Sequence, residues 1–271
     1  LSYRTCCTEC IVLKNVDYGE SDRIVTLYSP DRGRFSAIAK GAKRSQKRFV
    51  NKLEEFSLLD IRYRPAGQNR LHFLSEADLK NAFLTLRTNW QRYCAAMLAN
   101  ELVLRFTGEH DPDRRMYALL YRLLESLHHG ASPLPAVAFF HLHLLNVCGY
   151  RPGLDRCAVC SCTPDTDSGR SFALQPGSGM LLCSRCSGHP DRSRFTLSLQ
   201  SLKFLQTAQG MTTEQMHRLQ MPDKTAAECL SVLYSYSRYL LQCDIHSWSL
   251  LSQNSQTAQE EATAEFARSV P

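Results

Sequence analysis

Near residue 80 the spacing of apolar residues changes from two to between three and four, and that switch limits what the chain can fold into. Upstream lie five short segments rich in β-branched and aromatic residues: ECIVLKNV (9–16), DRIVTLYS (22–29), RFSAIAK (34–40), FSLLDIRYR (56–64) and RLHFLSEA (70–77). Asp31-Arg32-Gly33 punctuates the second and third, and Pro65-Ala66-Gly67 the fourth and fifth. Five short strands suit a small barrel or sandwich. Downstream, Phe83, Leu86, Trp90, Tyr93, Met97, Glu101 and Leu104 recur at helical steps, ending near Gly108. Similar spacing predicts helices from Asp113 to His128 and from Ala136 to Cys148, stopped by Gly130 with Pro133 and by Gly149. LQSLKFLQTA (199–208) continues the pattern. Thr225-Ala-Ala-Glu228 then reads as a capping box ahead of Leu230, Leu233, Tyr236 and Leu240. Aromatics on these helices are expected in the core rather than as stacking platforms. Residues 249–271 are polar, low in complexity and expected to be disordered.

Within the helical part, Cys157/Cys160 and Cys183/Cys186 form two Cys-x-x-Cys pairs separated by a segment holding Pro164, Gly169, Pro176, Gly177 and Gly179. That composition predicts a loop or short hairpin. Each pair offers two thiolates from one turn, and two such turns satisfy tetrahedral Zn²⁺. Arg156 and Arg185 favour thiolates. Four sulfurs leave no open position, so the zinc is structural; a disulfide clasp or a redox pair are the alternatives. Cys162 and His189 are spare ligands nearby, whereas His141 and His143 lie two apart on a helix and are read as partly buried.

Of the net charge of +6 among 271 residues, +5 belongs to residues 1–80. It concentrates in KGAKRSQKR, where Lys40, Lys43, Arg44, Lys47 and Arg48 stand without an acid. Such a run is either a solvated loop or a polyanion-binding surface. The most apolar stretch, Leu134 to Val147, is interrupted by His141, His143 and Asn146 and is too short to span a bilayer. Twelve cysteines without a secretory leader or an Asn-x-Ser/Thr sequon fit a reducing, cytoplasmic location. No Walker A loop, Gly-x-Gly-x-x-Gly, Gly-x-Ser-x-Gly or His-Glu-x-x-His is present. Glu54, Glu55 and Asp60 are read as surface residues rather than a nuclease set. Tyr18, Phe35, Phe49 and Tyr63 could stack on bases but are read as core or incidental.

Two blocks make the chain recognisable. ECIVLKNVDYGESDRIVTLYSPDRGRFSAIAKGAKR, with its runs Asp17–Arg23 and Ala39–Arg44, resembles the start of the bacterial recombination mediator RecO family. LLNVCGYRPGLDRCAVC resembles the approach to that family's zinc segment. The likeness covers roughly residues 9 to 245 and implies an α+β, multi-domain protein. A five-stranded OB-fold barrel (1–80) would precede a helical domain (81–248) carrying a zinc-binding four-cysteine insertion at about 154–190. It also implies binding to single- and double-stranded DNA, strand annealing, action with RecR and single-strand-binding protein, and indirect loading of RecA. Family members without the zinc cysteines imply that the metal does not carry the shared function. Outside the resemblance, a DNA- or RNA-processing enzyme and an RNA-binding zinc protein remain the alternatives.

Overall fold

The computed structural model describes residues 5–67, 70–164, 171–187, 195–218 and 220–251. Five strands, β1 (Cys6–Tyr18), β2 (Asp22–Ser29), β3 (Gly33–Ala39), β4 (Leu58–Arg64) and β5 (His72–Asn81), close into a barrel in the order β1-β2-β3-β5-β4. β1 is long enough to serve two neighbours. Its first half pairs with β4 over Cys6–Ile11 and its second with β2 over Ile11–Tyr18. A register shift between Val12 and Lys14 marks the change of partner, because an extra residue bends a strand. Alternate side chains point inward, so Cys10, Val12, Val25, Leu27, Phe35, Leu59, Ile61 and Leu74 fill the barrel. The β2–β3 turn closes at Gly33, whose φ of 65° suits glycine.

The outward residues Ile11, Leu13, Tyr28 and Leu58 share a second core with the helices. Asn100 fastens this seam by donating from Nδ2 to the Val12 and Leu13 carbonyls at 3.3 and 2.9 Å. At Gly33 the helical part comes so close that an added Cβ would lie 2.3 Å from the Asp111 carbonyl oxygen. The barrel and the helices are therefore joined by packing, not by a linker alone.

The helical stretch after residue 80 divides into α1 (Leu84–Thr88) and α2 (Trp90–Phe106), because Asn89 leaves the helix and caps α2 by accepting from the Arg92 N–H at 3.0 Å. Trp90, expected in the core, is 55% exposed, being placed at that corner. α3 (Arg114–His128) is capped by Asp113, and α4 (Pro133–Val147) opens on a proline and is buried on most sides.

The segment expected to be a loop or hairpin forms a four-stranded sheet. Strands β6 (Gly153–Cys157), β7 (Phe172–Gln175), β8 (Met180–Cys183) and β9 (Phe195–Leu197) lie in the order β6-β8-β7-β9. β7 and β8 are the hairpin; β6 joins in parallel and β9 from the far side. Leu154, Phe172, Leu174 and Leu181 pack against Phe139, Leu142 and Leu145 of α4. Two further helices, α5 (Leu199–Gly210) and α6 (Asp223–Leu241), complete this layer.

The capping box at Thr225 is not formed. α6 begins two residues earlier, after Pro222, and Thr225 is buried inside it. Glu228 instead caps the neighbouring helix, accepting from the Ser198 and Ser201 hydroxyls at 2.9 and 2.7 Å and from the Ser198 N–H. Residues 246–251 add a turn of helix with Leu251 buried, and the expected disorder of 252–271 lies outside the described residues. Among the described residues no helix is long and apolar enough to cross a membrane.

Candidate nucleic-acid interface and metal centre

The basic run lies in the connection from β3 to β4, residues 40–57, which is folded onto the barrel. Gly41 adopts φ 67°, and its N–H donates to Asp22 Oδ1 at 2.8 Å. That backbone bond, with the Ser21 hydroxyl, holds the Asp22 carboxyl below its usual range. The Lys43 N–H donates to the Ser21 carbonyl at 2.9 Å. Further along, the Phe49 N–H donates to Ser45 Oγ at 3.1 Å, and Phe49 and Leu53 insert into the barrel core. The loop is thus pinned at both ends by its backbone and its apolar side chains. Lys40, Lys43, Arg44, Lys47 and Arg48 all remain exposed.

The run is acid-free in sequence but not in space. Lys43 Nζ lies 3.1 Å from Asp17 Oδ2, and an Arg44 nitrogen lies 3.6 Å from Glu20 Oε2. Both acids belong to the β1–β2 corner. Asp17 also meets Arg23 at 3.1 Å, and Arg23 reaches Glu54 at 2.9 Å. The Asp17–Arg23 and Ala39–Arg44 runs are two halves of one arrangement. Among the described residues Lys40, Lys47 and Arg48 have no such carboxylate partner. Exposed pairs of this kind are worth at most about 1 kcal/mol, so a phosphate can displace them.

Of the four aromatic candidates, Phe35, Phe49 and Tyr63 belong to the barrel core. Tyr18 differs: it is 56% exposed at the end of β1, beside the Gly19 carbonyl that accepts from Lys43 Nζ at 3.5 Å. The sequence carried a signal for it, since Tyr18 sits next to the turn glycine where a strand leaves the barrel. Glu54, Glu55 and Asp60 do not converge. Glu54 serves Arg23, Asp60 lies 3.6 Å from Lys80, and burial raises the Glu55 pKa.

The four paired cysteines do converge: the Sγ atoms of Cys157, Cys160, Cys183 and Cys186 lie within 4.8 Å of one another. Two tight turns, one after β6 and one after β8, bring them together. The Cys160 and Cys183 sulfurs are 3.6 Å apart, far beyond a disulfide bond of about 2.05 Å and close to the edge of a tetrahedral site with metal–sulfur bonds of about 2.3 Å. Burial raises the Cys157 thiol, but N–H groups of Cys160, Cys183 and Val159 outweigh it and bring the pKa down to about 6. The Cys183 pKa is lowered as well, burial opposing and the Cys186 N–H assisting. Cys186 moves the other way, up to about 12, because the neighbouring sulfurs share its proton. Such a set accommodates a thiophilic divalent cation, whose charge replaces the shared protons. Among the described residues it is the only group of three or more His, Cys, Asp or Glu side chains placed to hold a metal ion. His141 and His143 stand elsewhere, bonded to Ser237 Oγ at 2.6 Å and to the Ala208 carbonyl at 2.9 Å.

Comparison with known proteins covers most of the chain. Residues 4–83 match the family described as Recombination protein O N terminal, and residues 87–249 match Recombination protein O C terminal. The DNA repair protein RecO of Syntrophobacter fumaroxidans is 32% identical over 252 residues, covering 92% of this chain and 98% of that protein. The DNA repair protein RecO of Roseiflexus sp. is 33% identical, covering 90% of this chain and 84% of its own length. That of Geobacter metallireducens is 40% identical over 181 residues, covering 66% of this chain and 71% of its own.

Proposed function

The chain belongs to the recombination protein O family of DNA repair proteins, and on that premise we propose that it is a non-enzymatic mediator that binds and anneals DNA strands. The observation that carries this reading is the pinned basic loop. Lys40, Lys43, Arg44, Lys47 and Arg48 contact phosphates, and the barrel over residues 1–80 is the DNA-binding unit. Two strands repel through their phosphates. A cationic surface that engages both lowers this repulsion and raises their local concentration, and base pairing then drives the reaction without fuel.

The helical unit over residues 81–248, less densely charged than the barrel at a net +3 over twice the length, contributes less to that electrostatic term and docks RecR and the single-strand-binding protein. Through them the chain helps load RecA onto coated single strands, in the bacterial cytoplasm at the nucleoid. Cys157, Cys160, Cys183 and Cys186 hold one Zn²⁺, which when bound ties β6 to β8 and supplies no chemistry to the annealing.

A fluorescence annealing assay tests the function directly, using bare strands and strands coated with single-strand-binding protein, with and without ATP, across a salt series. Annealing accelerated without ATP and slowed by salt is the expected result. A requirement for ATP, or indifference to salt, rejects the proposal, and strand cleavage in the same tubes replaces it with a nuclease.

A further inference from the structure

The corner between α1 and α2 presents an aromatic surface that the basic loop does not account for. Trp90, 55% exposed, stacks on Tyr93 with ring centroids 5.8 Å apart and planes within 15°. Tyr93 in turn meets the edge of buried Phe56 at 5.5 Å. The three rings form a ladder from the core to solvent, so the outermost indole is held in place while its outer face stays open. An apolar ring fixed by packing, yet left uncovered, is a surface prepared for a flat partner.

The charge around this corner indicates the partner. No Asp or Glu occurs between Asp78 and Glu101 in sequence, while Arg87 and Arg92 do; Lys80 is held by Glu9 and Asp60, and Glu54 and Glu55, whose charges reach Tyr93, are both half-buried. Arg87 donates to the Glu55 carbonyl at 2.9 Å and to Ser57 Oγ at 3.2 Å. It thereby fixes the corner to the far end of the loop that begins with the basic run. Arg48 stands seven positions before Glu55, so the nearest of the five cations lies within about 25 Å of the carbonyl that Arg87 holds. A planar platform, a cationic rim and continuity with a phosphate-binding loop are together the requirements of a single nucleic-acid strand.

We infer that Trp90, backed by Tyr93, is a base-stacking platform that extends the single-strand path from the barrel onto the helical part. The inference rests on the DNA-binding reading above and adds to it a selectivity. Bases of a duplex are already stacked on one another, so the platform serves single strands and leaves duplex affinity to the loop.

The chain holds only two tryptophans, which makes the test clean. Trp248 stacks on Tyr234 at 4.6 Å, away from the corner, and Trp248→Phe leaves Trp90 as the sole reporter. Titrating that full-length variant with oligo(dT) should quench its emission with the midpoint that strand anisotropy gives. Trp90→Ala should weaken oligo(dT) binding about ten-fold with the salt slope unchanged, since stacking releases no counterions. Trp90→Phe should retain most of the affinity, and duplex binding should be the same in all three proteins. Thermal melts of the variants check that the helices remain folded.

Trp90 emission unchanged by a strand that demonstrably binds would overturn the inference. So would a folded Trp90→Ala protein with unchanged oligo(dT) affinity, including one that has lost binding to a protein partner instead. In those cases the loop and the DNA-binding reading stand. Failure of the unaltered chain to bind DNA at all removes both.

Discussion

The basic loop and the cysteine cluster are built alike and do opposite things. Each brings one residue type together through tight turns fastened by backbone hydrogen bonds. In the loop the anchors are Gly41, Phe49 and Leu53, and all five cations are left outside. In the cluster the four thiols themselves point to a common centre, while the backbone N–H groups that lower two of them lie behind. The difference teaches that a dense run of one chemistry acquires its role from where its anchors lie. Anchors separate from the charged groups leave those groups for a partner. Charged groups that are themselves the anchors are consumed by the fold.

This contrast can be broken by experiment, and the largest effect falls on the cluster. Cys183→Ser should abolish stoichiometric zinc in elemental analysis and destabilise the helical part by about 3–5 kcal/mol. The pinned loop packs into the barrel core and the cluster into the separate core beside α4, so strand affinity at temperatures where the variant is folded should change far less. Equal losses of metal, stability and DNA binding would erase the distinction.

The second effect falls on the loop. If three to five cations engage a single strand, log affinity should fall against log salt with a slope of about −2 to −3.5. Lys43, Arg44, Lys47 and Arg48 changed together to Glu should cost about 100-fold at ~0.1 M salt, flatten that slope and leave the melting temperature nearly unchanged. A stability loss as large as that of the cysteine variant would show that these side chains anchor the fold after all.

A smaller change sharpens the point by separating charge from anchoring. Asp22→Ala removes a negative charge beside the cations, which by Coulomb attraction alone would tighten DNA binding. It also removes the acceptor for the Gly41 N–H, at a cost of about 1 kcal/mol in loop order. Affinity should therefore fall a few-fold, and a rise would mean that the anchor is dispensable.

Near neutral pH the smallest effect is a response to acid in the helical core. His141 is buried against Ser237 on α6, and burial lowers its pKa to about 3. An unfolded histidine titrates near 6.5, so between these values the unfolded chain takes up a proton that the folded chain refuses. Its contribution is intact above about pH 6.5 and declines below it by at most ~1.4 kcal/mol per pH unit. Urea melts at stepped pH should show a shallower decline for His141→Gln. Identical slopes would assign the acid sensitivity to other groups.

Much of this architecture was legible because periodicity is a local property. Alternation in FSLLDIRYR and helical spacing in RRMYALLYRLLESLH are written in consecutive residues, and so are the paired cysteines. What escaped was set by distant partners. Glu228 has the right spacing to cap its own helix but meets Ser198 and Ser201 of α5 first. β6 and β9 are too short to be distinguished from loops until β8 and β7 pair with them. The acids that meet Lys43 and Arg44 lie more than twenty residues upstream, so the run looked purer than it is. Trp90 fits its helical stripe, and only the break at Asn89 turns it outward.

The double service of β1 has a consequence in time. Its second half can pair as soon as β2 has been made, but its first half must wait for β4, whose partners Tyr63 and Leu58 lie roughly fifty residues beyond Cys6 and Ile11. A ribosome adding about 5–20 residues per second leaves that edge open for about 3–10 s. During this interval the nascent chain presents unpaired strand groups and the thiols of Cys6, Cys7 and Cys10 to whatever is near. Barrel closure is then a race between the last strand and misassociation, and slower translation through residues 58–64 would lower the yield of folded protein without altering one contact in its final form.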